Sequence, residues 1–145
     1  MIEMHVEECA DLIASSPLGR LAVIIDGHPE IFPVNHVYDH ESDCVAFRSD
    51  AGTRLHAALG SPSVAFEVDG YCADGSRGWS VLVIGRVEQI EVAQTKTRLA
   101  EHNDQLWRSP DAAAWFRIVP AKMTGRRICN TDRAPLIVHD VSSAS

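Results

Sequence analysis

The dipeptide Asp26-Gly27 most constrains what this chain can fold into, because it stands between two runs of strand character. Arg20–Ile25 is apolar and β-branched, and Pro29–Tyr38 reads as the strand that returns alongside it. A two-residue Asp-Gly connection suits the left-handed backbone of a tight hairpin turn, so the two runs pair antiparallel. In the returning strand Ile31, Pro33 and Asn35 fall on one face, and Phe32, Val34 and His36 on the other. Its prolines place it at an edge or a bulge, since proline donates no ladder bond.

The same grammar continues downstream. The polar stretch Asp39–Asp43 turns the chain into a third strand, Cys44–Ser49, and Val64–Val68 makes a fourth. Trp79–Ile90 is a long fifth strand, with Gly85 where a barrel strand bulges or bends. Phe116–Met123 alternates around Pro120 as an edge-like sixth strand. Helical character is confined to three pieces. Val6, Cys9, Ala10 and Ile13 recur at i, i+3, i+4 and i+7 and predict a helix over 3–15. Thr53–Leu59 has two turns before Gly60-Ser61-Pro62, and Ala93–Leu106 has the charge density of a surface helix. Asp111–Phe116 reads either as more helix or as the start of the last strand. Strands and helices do not alternate strictly, which argues against a doubly wound sheet and for a small antiparallel barrel.

With 145 residues, 46% of them hydrophobic and 23% charged, the chain has the substance of one globular domain with its own core. The expected division is a single domain over 1–145, with the barrel over 18–126 and a tail over 127–145. A formal charge of -7 removes the general attraction to phosphate backbones, so nucleic acid is not an expected partner. The longest apolar run, Val81–Ile84, is too short to cross a bilayer, and Met1–His5 lacks the apolar stretch of a secretory signal. A cytoplasmic protein without membrane attachment is the expectation. Cys9, Cys44, Cys72 and Cys129 form no CxxC pair, so neither a zinc site nor a disulfide frame is expected.

The stretch Phe47-Arg48-Ser49-Asp50-Ala51-Gly52-Thr53-Arg54-Leu55 is the richest in chemistry. A strand ends there, a glycine permits a close turn, and a helix begins. Two cationic side chains, two hydroxyls and the free N–H groups of a helix start suit a phosphate. The alternative is a cap with solvated charges. Pro33-Val34-Asn35-His36 comes to lie beside Arg48 in an antiparallel pair.

Gly27-His28-Pro29 to Pro33-Val34-Asn35, followed by Phe47-Arg48-Ser49 to Gly52-Thr53-Arg54, resembles the pyridoxamine 5'-phosphate oxidase-like superfamily. Gly78-Trp79-Ser80-Val81 to Gly85-Arg86-Val87-Glu88 is similar to that family's fifth strand. The likeness covers about Leu18–Ile90 and is nearest the nitroimidazole-resistance-type branch. It implies a mainly β (α+β) fold, a six-stranded antiparallel Greek-key split β-barrel with flanking short helices. It also implies a homodimer that binds FMN at its interface and acts as a flavin-dependent oxidoreductase on a small-molecule substrate. By resemblance Arg48, Ser49, Thr53 and Arg54 hold the flavin phosphate, Gly52 belongs to the same cofactor-binding set, Pro33, Val34, Asn35 and His36 run along the ring, and Ser80 adds a polar contact. Leu55 replaces a second basic residue of the oxidase proper, and Ala134–Ser145 lacks its C-terminal arginine and histidine motif. Pyridoxamine phosphate oxidation is therefore not expected. The deazaflavin F420 is the alternative cofactor, and a non-catalytic flavin- or haem-binding barrel the alternative role.

His36 is the one candidate proton donor near a flavin, against an ordinary strand histidine. Trp79 and Trp115 are candidates for stacking, interface or core, and Trp107 for a lid or interface. Glu67-Val68-Asp69 and Glu88–Glu91 present carboxylates as charges alternating outward from strands, with a catalytic pair or metal site as the rarer reading. No metal is expected. Gly-x-Ser-x-Gly and Gly-x-Gly-x-x-Gly are both absent.

Overall fold

The structure is a computed structural model that describes residues 2–50, 53–60, 63–102 and 114–129. Eight strands form one antiparallel sheet: β1 (Ile2–Glu3), β2 (Gly19–Ile25), β3 (His28–Val34), β4 (His36–Asp39), β5 (Cys44–Ser49), β6 (Val64–Tyr71), β7 (Arg77–Ile90) and β8 (Ala114–Cys129). Three helices flank it, α1 (Val6–Ser15), α2 (Arg54–Ala58) and α3 (Ala93–His102). The strand order is β3-β2-β6-β7-β8-β5-β4, with β1 added to β8.

The Asp26-Gly27 hairpin forms as its composition requires. Both residues have positive φ, 52° and 82°, and β2 pairs with β3 from Gly19↔Val34 to Ile25↔His28. The expected single strand 29–38 is instead two strands that break at Asn35. β3 lies at one edge of the sheet and β4 at the other. Two Cα steps separate Val34 from His36, a span of about 7 Å at most. The edges must therefore meet there, and the sheet curls into a split barrel. That closure explains eight strands where six were expected, together with β1 pairing through Ile2↔Arg127 and Glu3↔Arg126.

The last strand differs more. β8 is not an edge: it lies between β7 and β5 and runs from Ala114 to Cys129. Pro120 is tolerated there because the ladder shifts at Ile84/Gly85, with Gly85 opposite Pro120 and Ile84 opposite Lys122. Ala121 is the extra residue of a bulge, and Pro120, which has no N–H to donate, stands directly beside this interruption of the ladder. A Cβ on Gly85 would stand 2.2 Å from the Val119 carbonyl oxygen, so only glycine fits opposite the bulge. Ala114 onward is strand, which settles part of the ambiguity over 111–116. Residues 103–113, with Trp107, lie outside the described residues, as do Gly52 and the tail beyond Cys129.

Alternation sorts the side chains. Leu21, Val23, Val45, Phe47, Phe66, Val68, Val81, Val83 and Ile118 fill the interior, and α1 closes one end with Cys9, Ala10 and Ile13. Its helix begins at Val6 rather than residue 3, because Ile2–Glu3 pairs with β8. Each large aliphatic or aromatic group removed from water stabilises the fold by roughly 1.5–3 kcal/mol. Val37, Ala46, Ile90, Leu99 and Trp115 form a second, smaller cluster that includes α3. No helix among the described residues is long and apolar enough to cross a membrane.

Candidate cofactor site

β5 carries its residues to alternate sides, so Phe47 and Ser49 leave one face and Ala46 and Arg48 the other. Arg48 lies over the Trp115 ring, 5.3 Å from its centroid. Ser49 is 4% exposed, and its hydroxyl has no hydrogen-bond partner among the described residues. Asp50 Oδ1, Arg48 Nε and His56 Nδ1 are likewise buried without a hydrogen-bond partner. Of six such atoms among the described residues, four fall in the segment 48–56, Arg48 on the opposite face of β5 from Ser49. Leaving each buried and unbonded costs about 1–3 kcal/mol, which makes this segment the candidate site.

Thr53 is the N-cap of α2: its hydroxyl donates to the Asp50 carbonyl at 2.8 Å and accepts from His56 N–H at 3.1 Å. Its capacity is committed to the turn. α2 itself has five residues, too few for the helix-dipole contribution anticipated from the sequence. Arg54 Nε donates to Glu30 Oε1 at 2.8 Å, and its Nη2 pairs with Glu30 Oε2. His28 Nε2 lies 2.8 Å from the same Oε2. The Arg54 hydrogen bond, aided by His28, holds the Glu30 carboxyl down at about 2.

The strand expected along a flavin ring divides at the barrel closure. Pro33 is exposed on the outer face opposite Arg20, whereas Val34 turns inward opposite Gly19. Asn35 is the link between the two strands. His36 is buried; its ring meets Phe66 edge-on at 5.0 Å, and Nε2 donates to the Ile13 carbonyl at 2.8 Å. Burial lowers its pKa, with the carbonyls of Ile13 and Val34 pulling the other way. Burial thus favours the neutral imidazole, whose N–H ties β4 to α1, while Nδ1 is buried with no hydrogen-bond partner among the described residues.

Ser80 leaves the outer face of β7 between Asp69 and Arg126. Pro33 and Ser80 therefore share one face, and Arg20, Glu67 and Asp69 lie on it between them. Arg20 pairs with Glu67 at 3.1 Å and with Asp69 at 3.5 Å. Burial first, and the neighbouring Asp69 second, push the Glu67 carboxyl up to about 7. Glu67 and Asp69 are thus the outward-turned charges that the sequence suggests, but their i, i+2 spacing does not reveal that Glu67 is also half-buried.

Trp115 is buried under Arg48, and Trp79 packs on the core with its ring over Gly70. The four cysteines are free, and no group of three His, Cys, Asp or Glu among the described residues could hold a metal. A separate cleft of about 310 Å³ opens between β4 and α3, lined in part by Tyr38, Asp39, Glu41 and Arg98.

The sequence matches the pyridoxamine 5'-phosphate oxidase family model over residues 5–127. Among solved structures it is similar to an FAD-binding protein from Mycobacterium smegmatis, at 30% identity and a TM-score of 0.77, covering 88% of this chain and 98% of that one. It is also similar in fold to an FAD-binding protein from Mesorhizobium loti, at 24% identity and a TM-score of 0.70, covering 88% and 97%. An uncharacterised protein of Rhizobium meliloti is 29% identical over 92 residues, 63% of this chain but only 58% of its own length. An uncharacterised protein of Mycobacterium tuberculosis is 34% identical over 83 residues, 57% of this chain and 73% of its own.

Proposed function

Because this chain belongs to the pyridoxamine 5'-phosphate oxidase family of split barrels, we propose that it binds a flavin and serves as a flavin-dependent oxidoreductase for a small molecule. The observation that carries this reading is the set of buried polar atoms on Ser49, Asp50 and His56 that have no hydrogen-bond partner among the described residues. The donor set fits the phosphate end of a flavin. Ser49 would donate from its hydroxyl, and Arg54 would supply the cation through N–H groups not used by Glu30. Thr53 shapes the turn, and Gly52 belongs to the same segment. Arg48, held on Trp115 on the opposite side of β5, supports the wall rather than sharing the phosphate with Ser49.

When bound, a flavin supplies hydride and single-electron transfer. The protein's own part is to bind, orient and exclude water. Pro33 and Ser80 mark the outer face for the ring, and buried, neutral His36 keeps the corner at Asn35 rigid. Function as a homodimer is part of the same proposal. Its support is the exposed apolar surface of the outer face, where Ile31 is 66% and Ile24 52% exposed.

The visible spectrum of the protein as purified, with mass spectrometry of the released cofactor, tests the reading. A flavin spectrum is expected, or stoichiometric uptake of flavin by a colourless preparation. A colourless protein that takes up neither FMN nor FAD would overturn it. Sedimentation should give twice the chain mass.

A further inference from the structure

The Glu30–Arg54 pair does more than decorate the surface. Glu30 takes the Arg54 fork on two donors, Nε at 2.8 Å and Nη2, and His28 steadies the carboxylate from the other side at 2.8 Å. The side chains are 24% and 54% exposed, and pairs this open contribute little to folding, about 0–1 kcal/mol. Its consequence is electrostatic. Arg54 is the cation offered to a phosphate, yet Glu30 cancels its charge, Asp26 adds a further negative field on it, and Asp50 follows Ser49 in the turn.

What is left is a donor-rich but charge-poor site. Of the five N–H donors of a guanidinium, Glu30 takes two, and the free hydroxyl of Ser49 is neutral. A terminal phosphomonoester such as that of FMN carries a charge of about -1.5 to -2 at neutral pH. The diphosphate of FAD carries a similar total, but spread as one negative charge on each of two phosphorus centres, so the single phosphate group facing Arg54 would bring one charge rather than two.

We propose that Glu30 is the specificity-determining residue of this site, selecting the diphosphate of FAD over the terminal dianion of FMN by occupying the Arg54 fork and neutralising it. The proposal rests on the flavin reading above and deepens it. Glu30→Gln keeps the shape of the side chain and one acceptor while removing the opposing charge, so it isolates charge from geometry.

The test is a fluorescence titration of flavin-free wild-type and E30Q protein with FAD, FMN and riboflavin, with thermal denaturation to confirm that both are folded. Wild type is expected to prefer FAD to FMN. In E30Q the affinity for FMN should rise about fivefold, the scale of one partly exposed charge interaction, and 0.5 M salt should erode the gain. FAD affinity should change less, and riboflavin, which has no phosphate, not at all. Equal shifts for FMN and FAD, or a wild-type preference for FMN, would overturn the role of Glu30 while leaving flavin binding intact. Failure of folded wild-type protein to bind either phosphorylated flavin would remove the flavin reading, and this proposal with it. Glu30→Ala serves as the second variant should Gln keep the fork closed through its amide oxygen.

Discussion

The β4–β5 hairpin ends in a polar cluster at each extremity, and the two are built on opposite plans. At its loop end Asp39, 4% exposed, accepts from Ser42 Oγ at 2.6 Å, from Glu41 N–H at 3.2 Å and from the Arg98 guanidinium on both oxygens. Burial pushes its carboxyl up, but these bonds outweigh burial and hold it down at about 2. At the far end Ser49, Asp50 and His56 keep buried polar atoms with no such partners among the described residues. A buried cluster that satisfies itself is a clasp, here joining α3 to β4. A cluster left unsatisfied gives up stability that a bound group would restore.

Breaking the clasp should give the largest effect. Asp39→Ala strands the Ser42 hydroxyl and leaves Arg98 only its Glu41 partner at 3.1 Å, and a loss of about 2–3 kcal/mol in urea unfolding is expected, below that of a fully buried ion pair because Arg98 is partly exposed. A loss below about 1 kcal/mol would show the clasp to be no more than a surface pair. Arg54→Ala should behave in the reverse way. Folding stability should change by less than about 1 kcal/mol, whereas affinity for a phosphorylated flavin should fall by about 1.5–3 kcal/mol, as for a hydrogen bond to a charged group. Isothermal titration on folded protein separates the two.

A sharper contrast is available at Ser49. Ser49→Ala removes an unbonded hydroxyl, so the unliganded protein should be as stable as wild type or slightly more stable, while flavin affinity drops by about 1 kcal/mol. Loss of stability without loss of affinity would place Ser49 with the clasp. The smallest expected effect is the pH response of Glu67. Its folded pKa, about 7, lies above the ordinary carboxyl value of 4.5. Its stabilising contribution is therefore complete below pH 4.5 and lost as pH rises toward 7, by under about 1 kcal/mol once solvent screening is allowed for. Glu67→Gln should flatten that slope in chemical denaturation between pH 4.5 and 7. Asp39 has the opposite sign: its contribution is lost only as pH falls from the ordinary carboxyl value of 3.8 toward 2.

Much of this architecture was legible because local chemistry dictates it. Asp26-Gly27 can hardly be other than a tight turn, the alternation of Cys44–Ser49 fixes which residues face inward, and Gly85 marked the bulge that the ladder shows. The resemblance at Pro33–Asn35 and Phe47–Arg54 led to the right family, which the match over residues 5–127 bears out. Proximity in sequence was a poorer guide at the site. Arg48 and Ser49 are neighbours in the chain yet leave opposite faces of β5, Thr53 is committed to its cap, and Arg54 is shared with a glutamate 24 residues earlier.

The sequence alone determined most of the strands and their turns, since each follows from backbone preference and period-two burial. Only the tertiary structure decided that β3 and β4 are opposite edges meeting at Asn35, that Pro120 lies in an interior strand, and that Glu30 neutralises Arg54. Pairing between strands far apart in the chain, and the charges it brings together, depend on how the sheet curls. No local window of sequence carries that information.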